Sequence, residues 1–317
     1  MNSDETFSLT LGTEWETAIE NLTSVGDWIR FAVTAMESAE CAYGQGCLDA
    51  HCEARWLVAR ALHLPIDALD TLLDARLLPK ERSRLAELLA ARTEDRVPTA
   101  YLLNEAWLQG KPFYVDERVI IPRSFLAELL APEALARWLE KPPTAVTRVL
   151  ELCTGSGCLA ILAAEAFPNA QIVATDLSPD ALAVAQINVE SYGLAERITL
   201  AQGDLFAALS DPIEPFDLIL ANPPYVTTEA MANLPDEFRH EPQLALAAGD
   251  DGMTLVRRIV ADAPRYLTLG GRLLVEVGHN RREAEAALAA PGKSPLPLTW
   301  LATAGHPEAV FALTAPW

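Results

Sequence analysis

Val146-Thr147-Arg148-Val149-Leu150-Glu151-Leu152-Cys153-Thr154-Gly155-Ser156-Gly157 is the stretch that decides the fold. Val146–Leu152 has the length and apolar character of a buried strand. The glycines after it permit a sharp turn and let a ligand approach the backbone closely. Leu159–Phe167 then follows as an Ala-rich segment of helical length. The alternation continues through strands expected at Gln171–Thr175, Ile198–Ala201, Phe216–Ala221, Arg272–Val277, Leu298–Ala302 and Ala309–Leu313, with a further helix at Pro179–Tyr192. Strands and helices in alternation predict an α/β fold, a largely parallel sheet covered by helices on both faces. The connection between the last two strands is too short for a crossover helix, so one of them should run antiparallel.

Upstream the character differs. Residues 13–95 read as helical: Trp28, Ile29, Ala32, Val33 and Met36 recur at helical spacing, as do Ala54, Leu57, Val58 and Leu62. Further helices are expected over Ala68–Leu78 and Glu81–Ala91, separated by Pro79. Ala106–Leu108 and Phe113–Val115 flank Gln109-Gly110-Lys111-Pro112, which suggests a β-hairpin. Ser124 is placed to cap a helix running to Glu140. The expected organisation is a helical domain over 1–95, a β-hairpin linker over 96–123, and an α/β domain over 124–317.

Half of the 317 residues are hydrophobic, enough for a sizeable core, and no stretch approaches the length of a membrane span. The Met1-Asn2-Ser3-Asp4-Glu5 terminus is acidic and lacks the basic and apolar regions of a secretion signal, so a cytoplasmic protein is expected. Five sparse cysteines suggest reduced thiols, and Cys41, Cys47 and Cys52 with His51 match no zinc spacing. The formal charge is −20, from 44 acidic and 24 basic side chains. Residues 1–54 hold ten Asp or Glu and a single basic residue, Arg30. Such a surface repels nucleic acid phosphates and favours basic partners.

The chemistry concentrates at strand ends. Asp176 lies nineteen residues beyond Gly157, at the end of the second strand, where a carboxylate can accept hydrogen bonds from ribose hydroxyls. Ala160 takes the last place of the Gly-x-Gly-x-x-Gly pattern, which a dinucleotide site tolerates. Glu151 argues otherwise, because a carboxylate there repels a pyrophosphate but receives a cation. That favours S-adenosylmethionine over NAD. Asp204 is placed to receive the adenine amino group, with Leu205 and Phe206 over the ring.

Asn222-Pro223-Pro224-Tyr225 follows the strand Phe216–Ala221. Two prolines cannot continue a sheet ladder, so the chain must leave the sheet there. A carboxamide, free carbonyls and an aromatic ring are left at the carboxyl end of a strand. They can accept hydrogen bonds from a planar NH2 group and stack on it.

Taken together, Glu151–Gly157, Asp176, Asp204 and Asn222–Tyr225 resemble the successive motifs of a class I S-adenosylmethionine-dependent methyltransferase, with a Rossmann-like mixed seven-stranded sheet. The helical front domain, Arg96-Val97-Pro98-Thr99-Ala100-Tyr101 and Ile121-Pro122-Arg123 resemble the HemK/Prm family of protein-glutamine methyltransferases. Phe113–Arg118, Leu152–Cys158, Ser124–Leu129 and Phe238-Arg239-His240-Glu241-Pro242 are most similar to its branch acting on ribosomal protein L-three. The resemblance implies that Cys153, Thr154, Gly155, Ser156 and Gly157 line the methionine end of the cofactor. It further implies that Asp176 holds the ribose, that Asp204 and Leu205 border the adenine, and that Asn222 touches cofactor and substrate. Pro223, Pro224 and Tyr225 would shape the glutamine slot, with Asn222, Pro223 and Tyr225 as the catalytic set. Family members often carry Gly where this chain has Cys153. The implied partner is a basic ribosomal protein, with no membrane and no direct nucleic acid binding. Glutamine methylation of release factors, and adenine-N6 methylation of nucleic acid, are the alternatives. His240 and Glu241 read as part of a loop closing over the site.

Overall fold

The computed structural model describes residues 12–209, 213–289 and 295–317, and falls into two compact units. The acidic Met1–Glu5 stretch lies outside the described residues. Among those described, no helix is long and apolar enough to cross a membrane.

The first unit runs to Asn104 and takes in the short segment Pro235–His240. Its helices are α1 (Thr13–Asn21), α2 (Val25–Ser38), α3 (Ala50–Ala61), α4 (Pro79–Thr93) and α5 (Thr99–Leu103). Helix α2 starts at a capping box: the Asp27 amide donates to the Ser24 hydroxyl and the Ser24 amide to the Asp27 carboxylate, at 3.1 and 2.9 Å. Trp28, Ile29, Ala32 and Met36 on its inner face are buried against Ala54, Leu57 and Val58 of α3, as the periodicity predicts. The helix expected over 68–78 is instead one short 3-10 turn, Leu69–Thr71. The carbonyls that would extend it are used elsewhere: those of Leu73 and Ala75 accept the first amides of α2, from Gly26 and Val25, at 2.8 and 3.1 Å. A second correction concerns the cysteines, since Cys47 and Cys52 form a disulfide rather than two thiols, while Cys41, Cys153 and Cys158 are free.

Arg92, 1% exposed, is the polar centre of this unit. Its guanidinium binds the carboxylates of Glu53 and Glu237, and the Thr99 hydroxyl donates to Glu53 at 2.6 Å. Glu237 also accepts the Ala42 amide at 2.9 Å, which anchors the Pro235–His240 segment within the unit.

The second unit opens with the hairpin β1 (Ala106–Leu108) and β2 (Lys111–Phe113), closed by Gln109-Gly110. Ser124 does cap a helix, but that helix is broken into α6 (Phe125–Leu129) and α7 (Pro132–Trp138). Pro132 lacks the N–H to continue α6 and forces Ala131 into an extended conformation. The α/β alternation then runs β3 (Arg148–Leu152), α8 (Cys158–Ala166), β4 (Gln171–Asp176), α9 (Pro179–Ser191), β5 (Ile198–Gln202) and β6 (Phe216–Ala221). It continues through α10 (Thr228–Ala232), α11 (Thr254–Asp262), β7 (Leu267–Glu276), α12 (Arg281–Leu288), β8 (Thr299–Leu301) and β9 (Val310–Thr314).

These strands form one seven-stranded sheet in the order β5-β4-β3-β6-β7-β9-β8. Strand β9 is antiparallel to both neighbours, so the single reversal expected from the short last connection is present. Alternate residues of β3 and β6 serve opposite faces. Val149, Leu218 and Leu220 pack with Ile161 and Leu162 of α8, whereas Leu150, Leu152, Ile219 and Ala221 pack with Val256 and Ile259 of α11. Burial on both faces accounts for the near-continuous apolar runs of these strands. Strand order reverses at β3, whose neighbours are β4 and β6, and the crevice beyond the carboxyl ends at such a point is where α/β sheets bind ligands.

Candidate active site

Register brings the sequence motifs to that edge. Leu152 of β3 pairs with Thr175 of β4 on one side and Ala221 of β6 on the other. Cys153, Asp176 and Asn222, each the next residue along, therefore stand side by side at the carboxyl ends.

The turn after β3 needs left-handed backbone at three positions: Cys153, Gly155 and Gly157 have φ of 60°, 55° and 78°. At Gly157 an added Cβ would lie 3.2 Å from the Ala185 methyl, which fixes glycine there. Cys153 takes a left-handed conformation that a glycine would adopt more readily. The Gly155 amide donates to Asp176 Oδ2 and the Ser178 amide to Oδ1, both at 2.9 Å. Burial raises the Asp176 carboxyl, opposed by the amides of Ser178, Gly155 and Leu177. Asp176, half-buried at the carboxyl end of β4, thus shapes the turn. From beneath, the Asn188 amide group donates to the carbonyls of Ser156 and Tyr114, at 2.9 and 3.0 Å.

Glu151 is 1% exposed. Its Oε2 accepts the Thr154 hydroxyl at 2.6 Å, while Oε1 has no hydrogen-bond partner among the described residues. Burial pushes this carboxyl up to about 8. An orphaned, buried carboxylate oxygen is costly unless something satisfies it.

Asp204 is half exposed and forms an ion pair with Arg258 at 2.7 Å. Leu205 beside it is buried with a φ of 54°, and Phe206 stacks on Tyr266 with centroids 4.4 Å apart. Asp204 therefore sits at the expected edge with its carboxylate already engaged.

Asn222 is half-buried, Pro223 buried, and Pro224 and Tyr225 half-buried. Beyond Tyr225 the chain pairs again, Val226 with Ala247, through bonds of 2.9 Å from Val226 N–H to the Leu246 carbonyl and from Ala248 N–H to the Val226 carbonyl. The prolines thus interrupt hydrogen bonding over a few residues only, at the carboxyl end of β6, where the Tyr225 carbonyl is taken by the Asn280 side-chain amide at 2.8 Å. The Tyr225 phenol is held well above its usual range by burial and by Glu276.

His240 and Glu241 divide. His240 Nε2 lies 3.0 Å from the Asp95 carbonyl, in the first unit. Glu241, in the second, is fully shielded and bound by Arg123 at 2.7 and 3.0 Å. Sequence reading missed Asn188, Glu276 and the Arg123–Glu241 pair. A usable signal existed for Glu276, an acid closing the apolar run Leu273-Leu274-Val275.

Residues 130–291 match the methyltransferase small domain family. The chain is 52% identical to the ribosomal protein uL3 glutamine methyltransferase of Bordetella pertussis, covering 93% of this chain and 96% of that protein. The corresponding figures are 51%, 92% and 94% for the enzyme of that name in Burkholderia pseudomallei, and 48%, 94% and 95% in Neisseria meningitidis. The chain belongs to the uL3 glutamine methyltransferase family. As a member of that family it is a methyltransferase, and the edge formed by Cys153, Asp176 and Asn222 is its candidate active site.

Proposed function

We propose that this protein methylates the side-chain amide nitrogen of a glutamine in ribosomal protein L-three (uL3), with S-adenosylmethionine as donor. One observation carries the reading: Asn222-Pro223-Pro224-Tyr225 leaves β6 beside Cys153 and Asp176, in a chain about half identical to uL3 glutamine methyltransferases along nearly its whole length.

The residues fit the donor. The partnerless Glu151 Oε1 suits a cationic group, the left-handed turn at Gly155 lets a ligand approach the backbone, and Asp176 is the ribose acceptor. Leu205 borders the adenine, and the Asp204 carboxylate reaches it only by sharing or leaving Arg258. When bound, S-adenosylmethionine supplies a methyl group on a positively charged sulfur, open to displacement by a nucleophile.

An amide nitrogen is a poor nucleophile because its lone pair is delocalised into the carbonyl. Asn222 Oδ1 and the Pro223 carbonyl each accept one amide N–H and aim the nitrogen, which is catalysis by orientation. The same acceptors stabilise positive charge as it develops on nitrogen. Tyr225 packs against the amide plane, and the surplus proton leaves to water after transfer. A glutamate side chain is rejected because its carboxylate has no N–H to offer these acceptors.

The helical unit is the proposed recognition element, its acidic excess suited to a basic ribosomal protein. The test incubates the protein with methyl-labelled S-adenosylmethionine and ribosomal proteins from cells lacking this enzyme. Mass spectrometry is expected to find label on one glutamine of uL3. Label on a release factor or on nucleic acid would overturn the reading.

A further inference from the structure

Tyr225 is gripped from several directions by groups that the methyl-transfer chemistry does not use. Its carbonyl accepts the Asn280 side-chain amide at 2.8 Å. A Cβ on Gly252 would come within 2.5 Å of that carbonyl, and one on Gly278 within 2.9 Å of the ring. Backbone and ring are therefore walled in by two glycines, with φ of 72° and 58°.

The phenol is held separately. Val275 of β7 pairs with Ala221 of β6, so Glu276 stands one strand over from Asn222 at the same level of the sheet edge. Glu276 is 1% exposed. Its Oε2 accepts the Ser124 hydroxyl at 2.6 Å and the Leu126 amide at 3.1 Å, which fixes the carboxyl from the start of α6. Its Oε1 lies 3.5 Å from the Tyr225 phenol oxygen. No Lys, Arg or His forms an ion pair with it among the described residues. A buried carboxyl without a counter-cation destabilises a fold relative to an apolar side chain of similar size.

We propose that Glu276, braced by Ser124, is a positioning residue that fixes the Tyr225 ring against which the substrate amide packs. The inference rests on the methyl-transfer reading of Asn222–Tyr225. An amide held by two acceptors can still rotate about them, and the ring face removes that freedom. If the phenol is released, fewer bound amides point at the donor methyl, so turnover falls while donor binding does not.

The test compares Glu276→Leu, Glu276→Gln, Tyr225→Phe and the double variant Tyr225→Phe/Glu276→Leu in the full chain, with S-adenosylmethionine and uL3. Glu276→Leu is expected to lower kcat by about tenfold and to leave the donor Kd within about twofold. Glu276→Gln should restore most of kcat, because its oxygen accepts from Ser124 and Leu126 while its NH2 faces the phenol. In the Tyr225→Phe background, Glu276→Leu should lower kcat by less than about twofold, as two residues acting through one bond are not additive. Unchanged kcat in Glu276→Leu, or an equal loss in both backgrounds, overturns the proposal. If Glu276→Leu does not fold, Ser124→Ala takes its place, with a smaller kcat loss that Tyr225→Phe must again absorb. A wild-type protein that methylates no uL3 amide sinks the functional reading; an active one indifferent to these changes sinks the positioning role alone.

Discussion

The Glu241 carboxylate accepts both terminal nitrogens of Arg123, with Glu241 wholly shielded and Arg123 29% exposed. The pair joins the segment after β2, whose Ile120 side chain would meet a Cβ on Gly155 at 3.7 Å, to the chain beyond Asn222–Tyr225. Its two halves are not equivalent. Removing Arg123 takes two guanidinium hydrogen bonds from a buried carboxylate, whereas removing the Glu241 charge leaves a guanidinium that can still reach water. Arg123→Ala is expected to destabilise the protein by roughly 3 kcal/mol, and Glu241→Gln by clearly less. Urea unfolding measures both, and equal losses would contradict the asymmetry.

Asn222→Ala removes the side-chain acceptor while leaving β6 and its neighbours in place. Methyl transfer should fall by about two orders of magnitude or more, as when one preorganised catalytic hydrogen-bond group is lost. Calorimetry should show donor affinity largely kept. Near-wild-type turnover would sink the mechanism.

Asp176 and Asp204 looked alike in the sequence, and the structure separates them. Asp176 is half-buried and receives the amides of Gly155 and Ser178, whereas Asp204 is half exposed and paired with Arg258. Asp176→Ala is expected to weaken S-adenosylmethionine binding by roughly 1–3 kcal/mol, and Asp204→Ala by less than about 1 kcal/mol. Titration of both variants gives the order directly, and the reverse order would assign adenine recognition to Asp204 after all.

These residues also show how much was legible in advance. Strand β6 was found to the residue because an apolar run ends at two prolines, both local signals. The motifs at β3, β4 and β6 were found because one fold edge collects them from regularly alternating elements. Residues 68–78 were misread because their helical composition says nothing about carbonyls being drawn away by α2. The break at Pro132 was available from the proline itself. Ser124–Glu276 and Arg123–Glu241 join residues 152 and 118 positions apart. No spacing rule reaches that far, and only the assembled fold brings such partners together.

Glu151 offers a reading of the site through protons. Its carboxyl is held up at about 8 by burial, with Oε1 lacking a hydrogen-bond partner among the described residues, so at neutral pH it is mostly protonated in the free protein. A cationic ligand close by favours the carboxylate and lowers that value, so binding must release a proton. The sign follows: affinity rises with pH between the bound-state and free-state values, by at most about tenfold per pH unit, and levels off above about 8. Glu151→Gln cannot titrate, and dividing wild-type affinities by those of this variant cancels the ligand's own amine. The ratio should climb from about pH 6 to about pH 8 and then flatten, with calorimetry in two buffers counting the proton released. A flat ratio and no proton release would mean that the donor's positive charge lies away from Glu151.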